Sequence, residues 1–266
     1  MCEFSRPYKC VEPRRTYPDG TGYVRGLYFF RNLPAQVADS LEKKFFLRAD
    51  AYASEAMERL LKHDLSVREP FHSGWSRFLM SLLHRNPEAV ERLGHLVRER
   101  MSVPLDSLRA EYEKVREEAG LPSYDEWCTT RPPGDSDRMH LMLMRDIVDS
   151  KAVGTLLNSM SWSVTTLKRQ RFPLLTSDRP IIMTNGLVKE NGHIALPISP
   201  TTIFIAASKT ETIKAMFADI DKDGAETRIN NLVVRQAVKY VYGVDDRQLR
   251  FVSNRLGERR RSTPFG

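Results

Sequence analysis

The spacing of apolar residues changes near Trp162, and this change limits the folds that the chain can adopt. Before Trp162, apolar residues recur every three or four positions, which is the spacing of one face of an α-helix. After it come short segments rich in β-branched residues, which are typical of strands. Helices followed by strands, without regular alternation, predict an α+β fold and argue against a doubly wound sheet.

The first part of this pattern predicts about five helices in an N-terminal helical region. Prolines and glycines separate them, because proline lacks the N–H that a helix interior requires and glycine favours helix ends. The predicted helices cover residues 34–64, 71–82, 87–101, 105–120 and 138–161, with a short helix from about residue 123 and an exposed loop at 131–137. The last helix is rich in Met and Leu, so we expect it to be buried.

The second part predicts a C-terminal, mostly antiparallel sheet on which the helical region packs. The predicted strands are residues 164–168, 174–176, 180–184, 193–196, 202–206 and 249–253. The Asn191-Gly192 turn also fits a hairpin that joins residues 187–189 to 193–196. Two further helices are predicted, from residue 208 to about 218 and from about 225 to 242.

These patterns divide the chain into four parts. They are a basic N-terminal segment (1–33), the helical region (34–161), the sheet-containing region (162–253) and a basic C-terminal tail (254–266). We expect the helical and sheet-containing regions to fold together as one domain.

Composition favours a soluble cytoplasmic protein. The mean hydropathy is −0.43, and the longest apolar runs fall short of the roughly 18 residues that a membrane-spanning helix needs. The N-terminus lacks the apolar stretch of a secretory signal, and three cysteines do not form a complete set of disulfides. The oligomeric state is left open.

The net charge of +7 is concentrated at the two ends of the chain. Residues 235–261 hold eight basic and three acidic residues, and residues 1–31 hold six basic and three acidic ones. One interpretation is that the tail arginines contact nucleic-acid phosphates; they are Arg255, Arg259, Arg260 and Arg261. The other is a solvated tail that aids solubility. No aromatic residue interleaves with residues 255–261, so the tail does not predict a base-stacking platform.

A polar segment between two apolar strands is the first candidate for chemistry. It reads Thr176, Ser177, Asp178, Arg179, Pro180. In one interpretation these short side chains build a turn. In the other, Asp178 is a general base or metal ligand, and Thr176 and Ser177 orient it.

Asn230 is the second candidate, because it lies on a helix with a wide apolar face. A buried asparagine must be hydrogen-bonded, so Asn230 either locks the helix to a strand or faces a site. If Asp178 and Asn230 lie close together in the fold, one role, structural or functional, explains both polar residues.

An acidic segment between two predicted helices has part of the pattern of a calcium loop. Asp219, Asp221 and Asp223 occupy positions one, three and five, and Gly224 occupies position six. However, position twelve is Asn230 rather than the expected glutamate. The alternatives are a calcium site and a solvated acidic loop with Asp223 as a helix N-cap.

The order of several short motifs resembles an uncharacterised bacterial family, a domain of unknown function. The motifs are Gly26-Leu-Tyr28, residues 41–46, Arg77-Phe78, Trp162, the Thr-Ser-Asp-x-Pro segment at 176–180, the Pro-Ile-Ser-Pro segment at 197–200, and Ile229-Asn-Asn231. The resemblance covers about residues 20–253. Members usually open with a His-His-x-x-Pro segment that residues 1–25 lack, so the resemblance implies a member shortened at its N-terminus. It implies no established biochemistry.

Two functions are consistent with these residues. The first is a hydrolase of phosphate-containing substrates or nucleic acid, assisted by a divalent metal, with Asp178 as ligand or base, Thr176, Ser177 and Asn230 around it, and terminal arginines as phosphate contacts. The second is a non-enzymatic binding module whose basic termini have affinity for nucleic acid, in which the Thr-Ser-Asp turn is structural.

Overall fold

The computed structural model describes residues 1–22, 24, 27, 33–34, 45–102, 106–130, 134–168, 170–184, 186–220 and 222–257. The chain forms two compact units. The first contains Met1–Tyr23, Ala49–Leu83 and Ser150–Gly266, and the second contains Val24–Arg48 and His84–Asp149.

The described residues confirm the predicted α+β fold. Their helices are α1 (Leu47–Leu61), α2 (Phe71–His84), α3 (Pro87–Ser102), α4 (Asp106–Ala119), α5 (Tyr124–Thr130), α6 (Gly134–Val148), α7 (Lys151–Ser159), α8 (Thr210–Ile220), α9 (Ala225–Gln236) and α10 (Leu249–Ser253). Their strands are β1 (Cys2–Ser5), β2 (Glu12–Arg15), β3 (Ser161–Thr166), β4 (Thr176–Ser177), β5 (Ile182–Met183), β6 (His193–Pro197), β7 (Thr202–Ala207) and β8 (Tyr240–Gly243). None of the described helices is long and apolar enough to cross a membrane.

In the second unit, α3 packs against α6. The buried His140 of α6 lies so close to Gly94 of α3 that a Cβ at Gly94 would stand 2.8 Å from the His140 ring. Arg109 on α4 and Asp125 on α5 form an ion pair with a shortest distance of 2.6 Å.

The first unit contains two antiparallel four-stranded sheets rather than one. Sheet A has the strand order β2-β1-β8-β4, and sheet B has the order β3-β7-β6-β5. In sheet B every residue of β7 is buried, and α8 and α9 contribute Ile213 and Ile229 to the same core. A central strand covered on both faces explains why β7 reads as a continuous apolar run.

Sheet A has one apolar and one polar face, because successive side chains of a strand point in opposite directions. Cys2 and Phe4 of β1 and Val241 of β8 pack into a core with α9 and α10. The register pairs Glu3 with both Arg14 and Tyr242, so these three residues share the opposite face.

Strands β1 and β2 lie in the basic N-terminal segment (1–33), for which the sequence analysis named no secondary structure. Both strands have only four residues, and all four residues of β2 are exposed. Such short strands give too few residues for a period of two to be recognised.

Three predicted elements differ from the structure. The helix predicted for 138–161 is two helices, because Ser150 caps α7 by accepting the Val153 N–H at 3.5 Å. The helix predicted for 225–242 ends at Gln236 and is followed by β8. The strand predicted for 249–253 is the short helix α10.

The predicted hairpin also has a different first strand. Residues 187–190 form turns, and β5 pairs with β6 instead. The long helix predicted for 34–64 lies partly outside the described residues; within them, α1 ends at Leu61.

Candidate functional site

Three residues on one face of α9 form hydrogen bonds to the segment of residues 173–181. Asn230, Val233 and Gln236 lie three residues apart and therefore on neighbouring positions of the helix surface. Asn230 bonds to residues 173 and 175, the Val233 carbonyl to Ser177, and Gln236 to the carbonyls of residues 179 and 181. Helix and segment are thus joined at regular intervals.

Asn230 is 1% exposed and its side-chain amide is fully engaged. Its Oδ1 accepts the Leu175 N–H at 2.8 Å, and its Nδ2 donates to the Pro173 carbonyl at 2.9 Å and to Gln248 Oε1 at 3.1 Å. The buried Gln248 donates to the same Pro173 carbonyl at 3.0 Å. These bonds attach α9 to residues 173–175.

Asp178 follows β4 and accepts hydrogen bonds from three successive backbone amides. Its Oδ1 accepts the Val238 N–H at 2.9 Å, and its Oδ2 accepts those of Lys239 at 2.6 Å and Tyr240 at 3.2 Å. Its own N–H donates to the Tyr240 carbonyl at 3.0 Å. The carboxylate thereby holds the bend between α9 and β8, which is why the helix does not continue to residue 242.

Ser177 and Thr176 lie in β4. Ser177 is buried, donates from Oγ to the Val233 carbonyl at 3.3 Å and accepts the Arg179 N–H at 3.2 Å. Thr176 is exposed and stands opposite Tyr242. The structure therefore gathers all four candidate catalytic residues around one segment, but Asp178 and Asn230 bond to different partners.

Two basic side chains, one in the acidic loop before α9 and one in α9 itself, bind the acidic residues of this loop. Asp219 pairs with Lys222 at 2.6 Å, and this hydrogen bond and charge lower the pKa of the Asp219 carboxyl. Arg228 donates to the carbonyls of Asp219 and Asp223 at 2.5 and 3.1 Å.

Gly224 precedes α9 in a left-handed conformation, with φ of 75°. Asp221 lies outside the described residues. Within those that are described, no group of three His, Cys, Asp or Glu side chains is placed to hold a metal ion. Calcium at this loop stays a prediction.

A buried carboxylate on the polar face of sheet A was missed by the sequence analysis. Glu3 is 2% exposed, pairs with Arg14 at 3.2 Å and accepts a hydrogen bond from the Thr21 hydroxyl. Burial, together with the Glu3 charge, raises the pKa of the neighbouring Tyr242 to about 12, although the Thr21 hydroxyl opposes this rise. The one signal in the sequence is Glu3 between two apolar residues.

The two basic ends of the chain meet at sheet A. Strand β1 pairs with β8, and beyond the strand ends Arg6 donates to the Ser253 carbonyl at 3.1 Å. Arg15 at the end of β2 donates to the Val244 carbonyl at 3.0 Å. The N-terminal hairpin is therefore joined to the C-terminal residues at two further points.

Arg255 is the one predicted tail arginine that the described residues include. Its guanidinium donates to Asn231 Oδ1 at 2.9 Å and to the Phe251 carbonyl at 3.2 Å, and it lies 4.0 Å from the centre of the Phe251 ring. It is thus anchored to α9 and α10. Arg259, Arg260 and Arg261 lie outside the described residues.

A family model matches residues 1–247 of the chain, and its description is protein of unknown function (DUF4238). The chain belongs to this family. No curated protein and no solved structure matches it. The DUF4238 match begins with β1 and includes Asp178, Asn230 and all of β8, so both sheets belong to the family region.

Proposed function

We propose that this DUF4238 protein is a non-catalytic binding module whose joined basic ends contact the phosphates of nucleic acid. The pairing of β1 with β8 is the observation that carries the proposal, since it brings together two basic regions that are separated by most of the chain. The family resemblance supports a bacterial origin, and we propose a cytoplasmic location.

The charge balance around sheet A favours an anionic ligand. Residues 1–22 and 235–257 contain nine basic and five acidic residues. Two ion pairs, Glu3 with Arg14 and Asp245 with Arg247 at 2.7 Å, leave seven basic and three acidic residues outside these pairs. Cations of such a surface that contact nucleic-acid phosphates release the counterions condensed on them, so the affinity falls as the salt concentration rises.

Several cations of this surface point to solvent. Arg6 and Lys9 in the β1–β2 connection are exposed, and so are Lys239 beside β8 and Arg250 in α10. Ser5 and Tyr240 are paired on antiparallel strands. Arg6, which follows Ser5, and Lys239, which precedes Tyr240, therefore lie at the same end of the two strands. We therefore treat Arg6, Lys9, Arg15, Lys239 and Arg250 as one basic surface.

The hydrolase alternative has less support from the geometry. A metal ligand or general base at Asp178 would need a carboxylate oxygen directed at the metal or substrate. Both oxygens of Asp178 instead accept backbone N–H groups of residues 238–240. The Thr-Ser-Asp-x-Pro segment, which we take as a family motif, then serves the fold.

The test is a comparison of two charge-reversal variants in a binding measurement. Lys9→Glu/Lys239→Glu changes the basic surface, and Lys62→Glu/Lys214→Glu makes the same charge change at exposed positions elsewhere in the first unit. Fluorescence anisotropy with a labelled oligonucleotide at low salt should show about tenfold weaker binding for the first variant and less than about twofold for the second. Equal losses in both would contradict a defined surface.

A further inference from the structure

The two most exposed aromatic side chains of the described part of the chain both lie on the hairpin that carries the basic surface. Tyr8 is 85% exposed and Tyr17 is 82% exposed. Every other Phe, Tyr or Trp among the described residues is at least partly buried. An exposed tyrosine alone needs no explanation, but two that flank one basic strand do.

Tyr8 and Tyr17 lie at opposite ends of β2. Tyr8 is in the connection between β1 and β2, and Tyr17 follows β2 in an extended conformation, with φ of −109° and ψ of 158°. At about 3.4 Å per residue, the extended stretch from Glu12 to Tyr17 is on the order of 17 Å long, and Tyr8 lies in the connection before it. One extended strand of nucleic acid could contact both.

Cations accompany each ring. Arg6 and Lys9 flank Tyr8 in the sequence, and Arg15 lies two residues before Tyr17. Arg15 and Arg6 are themselves held by the carbonyls of Val244 and Ser253, so the hairpin is fixed to the C-terminal residues. Proteins that bind single strands combine such a basic track with aromatic rings on which unpaired bases stack.

We infer that the ligand is single-stranded nucleic acid, with unpaired bases stacking on Tyr8 and Tyr17 while the neighbouring cations contact its phosphates. This inference rests on the proposed function and names its ligand class. Duplex DNA could use the cations alone, because its bases are already stacked on one another. Preference for a single strand is thus the property that the tyrosines add.

The experiment measures binding of three probes to three forms of the whole chain. The probes are an unstructured pyrimidine oligonucleotide of about 15 nucleotides, the same sequence as a duplex, and heparin. The proteins are the unaltered chain, Tyr8→Ala/Tyr17→Ala, and Tyr8→Phe/Tyr17→Phe, which keeps both rings. Because both side chains are exposed, circular dichroism should show the same fold for all three.

The inference predicts that the unaltered chain binds the single strand more tightly than the duplex. The alanine variant should lose about tenfold per tyrosine on the single strand and less than about twofold on the duplex and heparin. The phenylalanine variant should stay within about twofold of the unaltered chain. Loss of affinity in the phenylalanine variant would contradict stacking.

The outcomes separate this inference from the proposed function. If the alanine variant binds the single strand normally while Lys9→Glu/Lys239→Glu does not, the tyrosines have no stacking role, and the basic surface stands. If the unaltered chain binds heparin but neither nucleic acid, both proposals are wrong.

Discussion

Arg6 and Ser253 are 247 residues apart in sequence, yet the Arg6 guanidinium donates to the Ser253 carbonyl at 3.1 Å. This bond extends the pairing of β1 with β8 beyond the strand ends. Among the described residues, the hairpin of β1 and β2 is therefore joined to the C-terminal helix α10. The described N-terminal basic residues, Arg6, Lys9, Arg14 and Arg15, thus belong to a folded hairpin and its connection.

The burial of Cys2 offers a test of whether β1 is folded. Cys2 is 1% exposed in the core of sheet A, and burial raises the pKa of its thiol, whereas Cys10 in the β1–β2 connection is exposed. Only the thiolate reacts with iodoacetamide. We expect Cys10 to be alkylated at least about tenfold faster than Cys2, as followed by mass spectrometry. The difference should vanish in urea; equal rates in the native protein would mean that β1 is not packed.

Asn230 should contribute strongly to stability. Asn230→Ala removes three hydrogen bonds and leaves the Leu175 N–H buried without its acceptor, which should cost about 2–4 kcal/mol of unfolding free energy. Asn254→Ala, at an exposed position, should cost less than about 0.5 kcal/mol. Urea denaturation measures both. Similar stability of the two variants would argue against a lock between α9 and residues 173–175.

Asp178→Ala separates a structural carboxylate from a catalytic one. Three backbone N–H groups would lose their acceptor, so we expect a loss of about 1–3 kcal/mol and a lower Tm. Asp19→Ala, at an exposed position, should leave Tm nearly unchanged. An unchanged Tm for Asp178→Ala, combined with loss of a metal-dependent hydrolytic activity, would instead support the hydrolase.

The ionisation of Tyr242 should make stability depend on pH in the alkaline range. An unfolded tyrosine ionises near its ordinary pKa of 10.0, and the folded one near 12. Between these values the folded state binds more protons, so the contribution is complete below pH 10.0 and is lost as the pH rises to about 12. Urea denaturation at about pH 9 and 11 should show a larger fall for the unaltered chain than for Tyr242→Phe. Equal falls would contradict the raised pKa.

The sequence predicted the α+β class and most strands of sheet B, because β6 and β7 are long enough for their apolar residues to form a pattern. Strand β8 was hidden, since Ala237, Tyr240 and Val241 continue the helical spacing of α9. The distant Asp178, whose carboxylate accepts hydrogen bonds from the amides of residues 238–240, holds the chain in the bend after that helix. No local pattern contains such a contact.

The candidate site was predicted only in part, because its contacts join segments that are distant in sequence. Asp178 and Asn230 stood out as polar residues among apolar ones, but their partners come from distant segments. Glu3 and Tyr242 meet only because β1 pairs with β8. Their proximity could not be read from either segment alone.

The salt dependence of single-strand binding tests most directly whether the two ends form one surface. Each phosphate contact with single-stranded nucleic acid contributes about 0.7 to the slope of log K against log salt concentration. Lys9→Glu and Lys239→Glu should each lower the slope by about 0.7, and the double variant by about 1.4. A slope that responds to only one of the two lysines, or to neither, would contradict a single surface built from both ends of the chain.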